Sequence, residues 1–233
     1  MSRPDELISD GGIFLNIFDI IGPVMTGPSS SHTAGAVKLG RLAASLLGAR
    51  VSEAVMGLYG SFASTGLGHG TDRALVAGLM GWADDDMRIA TSFEYAGDAG
   101  LSFSFKTIDL GELAHPNSVR FWLRDASGKE CVLTGCSVGG GQVRITDIDG
   151  LRLEITGEMP TILAIHKDRA GVIAHVTGIL ASLDINVARM SVFRKKKGDI
   201  AAMVLETDQA VVEADLEQIR HLDHVISVRS ITR

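Results

Sequence analysis

Apolar positions recur with two different periods along this chain, and the change of period organises it. From Ala34 to Leu47 they fall three and four apart, which predicts a helix over 33–47. Val51 to Tyr59 is rich in β-branched and aromatic residues and predicts a strand. A glycine-rich turn from Gly60 to Gly70 then leads into a second amphipathic helix, about Asp72 to Gly81. From Leu101 the period becomes two. Phe103, Phe105, Val119, Phe121 and Leu123 alternate with polar residues, as in strands that cover one core. Ser127-Gly128 predicts a hairpin turn, Gly139-Gly140-Gly141 breaks the next pair, and Val143, Ile145 and Ile148 carry the strands on to about Leu153.

A second unit is expected to begin near Gly157. Thr161 to His166 predicts a strand and Asp168 to Gly171 a turn. Val172 to Leu183 predicts a helix with Ile173, Val176, Ile179 and Leu180 on one face. Strands at 185–193 and 199–207 flank the basic run Arg194-Lys195-Lys196-Lys197-Gly198, a helix is expected over 211–222 and a strand over 225–231. The order βαββαβ is that of a ferredoxin-like module. The basic run is expected to be a solvated hairpin tip protected by its lysines. The fold class is therefore α+β, with domains over 1–156 and 157–233.

Composition narrows the function classes. The 233 residues, 45% of them apolar, suffice for one large domain or two small ones, each with its own core. A net charge of -6 argues against a nucleic-acid partner, which needs a basic face. The N-terminus has no basic stretch followed by an apolar run, and nothing approaches the ~20 apolar residues of a membrane span. No signal peptide and no membrane partner are expected, and the expected compartment is the cytoplasm. Cys131 and Cys136 are the only cysteines, fewer than the three or four ligands that a zinc site or an iron–sulfur cluster normally takes. They are expected to be buried structural thiols. Asp84-Asp85-Asp86 lacks the spaced ligands and glycine of a calcium loop, and is read as an acidic surface loop.

The densest chemistry lies in Gly27-Pro28-Ser29-Ser30-Ser31-His32-Thr33, just before the first helix. A helix start carries unpartnered N–H groups and partial positive charge. Four hydroxyls and an imidazole added there make a receptor for a small anion such as a carboxylate or phosphate. A single N-cap would need only one hydroxyl. His69 lies between Gly68 and Gly70, which leave room for close approach, and His115 is pushed into an extended conformation by Pro116. Each alone reads as a loop histidine; together with the hydroxyl cluster they form a candidate site. His175 is expected on the surface, and His221 and His224 near the end of the last helix, where positive charge favours the dipole.

Several of these segments resemble the β chain of iron–sulfur-dependent L-serine dehydratases. The resemblance runs through Phe18-Asp19-Ile20-Ile21-Gly22-Pro23, GPSSSHT, Tyr59-Gly60-Ser61, Gly66, Gly68-His69-Gly70-Thr71-Asp72, His115-Pro116-Asn117 and Ser137-Val138-Gly139-Gly140-Gly141, in the family's order. It implies an N-terminal mixed α/β domain similar to an allosteric substrate-binding domain. It also implies deamination of L-serine to pyruvate and ammonia, with a [4Fe–4S] cluster held by a separate α chain. This chain would then be a subunit without activity of its own. Under that resemblance Ser29, Ser30, Ser31 and Thr33 bind the substrate carboxylate, His69 is the first candidate for the base that takes the α-proton, and His32 and His115 orient or shuttle protons.

The last 75 or so residues resemble the ACT family of regulatory modules, on Asp168-Arg169-Ala170-Gly171-Val172-Ile173 followed by Ile185-Asn186-Val187. That resemblance implies a homodimer through the ACT domains and an amino-acid effector contacting His166, Asp168, Gly171 and Asn186. Asp168 departs from the Asn common in serine-responsive members. Two other readings compete: an amino-acid sensor without catalysis, and a scaffold whose polar loops dock a partner. A nucleotide-binding unit is not among them, because no Gly-x-Gly-x-x-Gly follows a leading strand.

Overall fold

The computed structural model describes residues 26–231. The expected motif at Phe18–Pro23 lies outside them. Hydroxyl-rich Ser30–Ala34 forms a wide π-helical turn that runs directly into α1 (Gly35–Leu47). Strand β1 (Val51–Gly60) is followed by a short helix α2 (Ser61–Ser64), a 3₁₀ turn over Gly66–His69, and α3 (Thr71–Leu79). Then come α4 (Ser92–Asp98), β2 (Ser102–Thr107), β3 (Asn117–Asp125), β4 (Glu130–Gly139), β5 (Gln142–Ile148) and β6 (Leu151–Ile155). These strands form one sheet in the order β2-β1-β3-β4-β5-β6, with β1 and β2 parallel and the others antiparallel.

Period two in the sequence becomes one buried face. Ala54, Met56 and Leu58 of β1 meet Val119, Phe121 and Leu123 of β3, and α1 and α3 cover them. The two helices touch backbone to backbone where Gly40 faces Gly78. A Cβ added at Gly78 would lie 2.1 Å from the Val37 carbonyl. That contact, near the end of α3, sets how α3 packs on α1, and α3 begins directly after the Gly66–His69 turn.

The C-terminal part is β7 (Thr161–Lys167), α5 (Val172–Ser182), β8 (Val187–Arg194), β9 (Ile200–Thr207), α6 (Glu213–Arg220) and β10 (Val225–Ile231). Its antiparallel sheet runs β10-β7-β9-β8. One face, with Ile162, Ala164, Met203 and Leu205, packs on Val176 and Leu180 of α5 and Leu216 and Ile219 of α6. The other face, with Leu163, Ala202, Val204 and Ile231, joins the core of the N-terminal part. The C-terminal part thus has a core of its own, and its sheet also contributes to that of the N-terminal part. Burial on both faces makes β9 a continuous apolar run, in place of an alternating one.

Two local expectations change. The turn expected over Gly60–Gly70 holds two short helical segments, because the Ser61 N–H and the Phe62 N–H both close on the Pro116 carbonyl and start a helix. Ile173, expected on the packed face of α5, is 38% exposed, since that face is set by Val172, Val176 and Leu180. The basic tip after β8 is exposed from Arg194 to Gly198, as expected, and it is also anchored. Asp168 accepts hydrogen bonds from Arg194 Nη1 (2.7 Å) and from the Gly198 N–H (2.8 Å), tying the tip to the β7–α5 turn. Among the described residues no helix is long and apolar enough to cross a membrane.

Candidate active site

The π turn is the foundation of the site. Ser29 caps it, its Oγ accepting from the His32 N–H at 3.1 Å, while its carbonyl accepts from the Thr33 and Ala34 N–H groups. The Ser30 carbonyl accepts from Gly35, the five-residue step that widens the turn. Ser30 and Ser31, at its start, have N–H groups with no acceptor inside the turn, as a helix start leaves them. Wide turns of this kind are frequent at functional sites.

Into this cradle the Gly66–His69 turn brings a second imidazole. The rings of His32 and His69 lie 4.9 Å apart at 39°, although 37 positions separate them in sequence. His32 Nε2 is 3.2 Å from Ser61 Oγ and 3.4 Å from Thr65 Oγ1, and its Nδ1 is 3.4 Å from Ser31 Oγ. His69 Nδ1 donates to the Thr65 carbonyl at 3.0 Å. A carbonyl can only accept, so the neutral His69 ring carries its proton on Nδ1 and a free lone pair on Nε2. Burial, and then the neighbouring His69, holds His32 below the ordinary imidazole value, against the opposing effect of a hydrogen bond that the ring gives to the Ser61 backbone.

The expected residues take different places. Ser29, Ser30 and Ser31 are half-buried around the mouth of the turn. Thr33 is reassigned: it is 3% exposed, and its hydroxyl donates to the His69 carbonyl at 3.1 Å, so its proton is not available to a carboxylate. It holds the two loops together. His115 accepts from the Asn117 N–H through Nδ1 and stands next to Pro116, whose carbonyl receives the Ser61 N–H at 2.7 Å. It borders the site without bonding to either imidazole.

Sequence reasoning assigned no role to Ser61 and Thr65. Their spacing with His69, at 61, 65 and 69, is the helical signal that would have found them once the segment was read as helical. Two further hydroxyls are wholly buried, with no hydrogen-bond partner among the described residues: Ser137 and Thr71. Ser137 lies directly beneath the turn, 2.1 Å from where a Cβ on Gly35 would stand. Thr71 lies against Gly66 in the same way.

The ACT-type positions are also partly engaged. His166 is buried, with Nδ1 donating to the Lys167 carbonyl at 2.8 Å and Nε2 unpartnered among the described residues. Asn186 donates to Asp208 at 2.6 Å, and Gly171 caps α5 with φ +92. The Gly198 N–H, and then the Arg194 guanidinium, hold the Asp168 carboxyl below the usual carboxylate range.

An iron–sulfur cluster does not fit the described residues. Cys131 and Cys136 are both buried, burial raises both thiols, and among the described residues no three His, Cys, Asp or Glu side chains are grouped to hold a metal ion.

Fold and site together define an α+β protein in which a hydroxyl-lined turn with paired imidazoles is fused to a βαββαβ module. Comparison with known proteins makes that specific. Residues 16–147 match the serine dehydratase beta chain family, and residues 161–224 match the ACT domain. A probable L-serine dehydratase beta chain of Bacillus subtilis is 43% identical over 94% of this chain and 98% of its own length. The L-serine dehydratase beta chain of Peptoniphilus asaccharolyticus is 42% identical over 84% of this chain and 89% of its own. A D-3-phosphoglycerate dehydrogenase of Bacillus subtilis is 26% identical over 83% of this chain, which spans 37% of that enzyme. The chain belongs to the serine dehydratase beta-chain family and carries a C-terminal ACT domain.

Proposed function

We propose that this chain is the β subunit of a cytoplasmic L-serine dehydratase, which forms pyruvate and ammonia from L-serine and is inactive without an α chain. The observation that carries the reading is the pair of imidazoles at the mouth of a hydroxyl-lined turn. Such a cradle meets a carboxylate, and a neutral imidazole beside it suits removal of a weakly acidic α-proton.

In this reading the substrate carboxylate sits on the Ser30 and Ser31 N–H groups and the Ser29, Ser30 and Ser31 hydroxyls. His69 takes the α-proton on Nε2. The resulting imidazolium keeps its Nδ1–H on the Thr65 carbonyl, which stabilises the new charge. His32, linked to Ser61 and Thr65, orients the pair, and His115 closes one side. The cluster belongs to the α chain. It supplies a Lewis-acidic iron, and loss of the substrate hydroxyl is assigned to no residue of this chain.

The ACT domain, over residues 157–233, is proposed to pair with a second copy and to take an amino-acid effector at His166, Asp168, Gly171 and Asn186. Arg194 already neutralises Asp168, so a zwitterion meets little net charge there.

The test is assembly with a cluster-bearing α chain under anaerobic conditions, with pyruvate measured from L-serine. Turnover is expected only in the mixture. His69→Ala is expected to leave assembly intact and to cost about 10²–10⁴-fold in kcat, the usual share of a general base. Serine binding by the lone chain, with no turnover in a cluster-loaded complex, would instead establish a sensor.

A further inference from the structure

A second site lies away from the imidazoles. One wall of α1 faces an open cleft of about 1040 Å³, bordered by the end of α3, the Gly140–Gln142 turn and the segment Thr156–Glu158 that leads to β7. Junctions between folded units are preferred places for small ligands, and this volume exceeds what a single metabolite needs. Its lining is mixed. Leu42, Leu79 and Val143 supply apolar surface, while Lys38, Arg41 and Arg50 oppose Asp84 and Glu158. Lys38 and Asp84 already face each other at 3.6 Å. That leaves two guanidinium groups against one exposed carboxylate. Arg50 gives one N–H to the Ala99 carbonyl, and Arg41 has no ion-pair or hydrogen-bond partner among the described residues. A guanidinium offers a planar fork of donors that matches a carboxylate.

We propose that this cleft binds an organic acid with a short carbon skeleton, its carboxylate held by Arg41 and Arg50 and its carbon chain against Leu42, Leu79 and Val143. Occupancy is felt at the candidate active site through α1. The same helix continues the Ser30–Ala34 turn at one end and lines the cleft further along. The segment leading to β7 presses on it too: a Cβ at Gly157 would stand 2.6 Å from Leu42. A ligand bridging α1 and this segment ties the ACT domain to the helix that begins at the hydroxyl cradle. The effect on turnover rests on the serine dehydratase reading; the binding does not.

The probe is succinate, titrated calorimetrically into the full chain, with inorganic phosphate and ionic-strength-matched potassium chloride as separate arms. Saturable succinate binding is expected, with phosphate weaker by about tenfold because it has no carbon skeleton for the apolar wall. Arg41→Ala and Arg50→Ala are each expected to weaken succinate by about tenfold, the scale of one charge-assisted contact. Arg41→Gln checks that the loss follows the charge, and Lys196→Ala, on the exposed hairpin tip, is expected to bind as wild type. Equal response to succinate, phosphate and chloride overturns the site, as does wild-type affinity in the arginine variants or an equal loss in Lys196→Ala. In the assembled complex, succinate is expected to change kcat or KM for serine in the wild type and not in Arg41→Ala. Binding without any such change overturns the coupling. A complex inactive in every arm tells against the dehydratase reading and leaves the calorimetric result standing.

Discussion

Two imidazolium cations at the 4.9 Å separation of His32 and His69 would repel each other, and the partial burial of His32 adds to the cost of charging it. The folded-state value of His32 therefore lies below its unfolded one, and the folded chain binds fewer protons in the interval between them. The stability attached to neutral His32 is present above about pH 6.5 and is lost as pH falls through the lowered folded value. Urea unfolding from about pH 7.5 down to about pH 5 should show this decline, and His32→Gln should flatten it. Ser137 makes the opposite separation of stability from function. Leaving a buried hydroxyl unpaired costs about 1–3 kcal/mol, so Ser137→Ala should leave stability unchanged or raise it by about 1 kcal/mol. If its partner arrives with the substrate, the same variant loses about tenfold or more in kcat/KM. A stability loss above about 1 kcal/mol with unchanged kinetics would make Ser137 purely structural.

At the scale of elements, the helix–helix contact through Gly40 and Gly78 decides where the second imidazole stands. Gly78→Ala places a methyl group 2.1 Å from the Val37 carbonyl and close to the Gly40 backbone, neither of which can turn aside as a side chain would. Overpacking there is expected to cost about 3 kcal/mol in denaturant unfolding and to disturb serine binding, because α3 begins just after His69. Elements were legible in the sequence where the period was long enough. The alternation through Phe121 and Leu123 marked β3, and the βαββαβ order of the last part was readable outright. Seven-residue α4 was not, since two turns give too few repeats to show a period. Nor were the short helical segments over 61–69, which are started by the Pro116 carbonyl from a distant part of the chain. The residue types of the site were legible for the same reason that its geometry was not. Hydroxyls and histidines stand out one by one, whereas the approach of His69 to His32 depends on how α1 and α3 cross.

Across the whole molecule, the shared core is what joins the ACT domain to the rest. Leu163, Ala202 and Val204 point away from their own helices into the N-terminal part, and Arg229 of β10 donates to the Leu46 carbonyl at the end of α1. Helix α1 is thus held at its C-terminal end by the second sheet and carries the hydroxyl cradle at its start. Two parts joined this way should unfold as one. Both tryptophans, Trp82 and Trp122, lie in the N-terminal part, so their fluorescence reports that part alone, while far-ultraviolet dichroism reports both sheets. The two signals are expected to give coincident denaturation curves. Leu163 is 1% exposed and belongs to the ACT sheet, yet its side chain fills the N-terminal core. Leu163→Ala should shift the tryptophan transition as far as the dichroism transition, by about 2–5 kcal/mol. Separate transitions, with the tryptophan signal unmoved by Leu163→Ala, would mean that the second sheet merely rests on the first part. The route from the ACT domain to the imidazoles through α1 would then be lost.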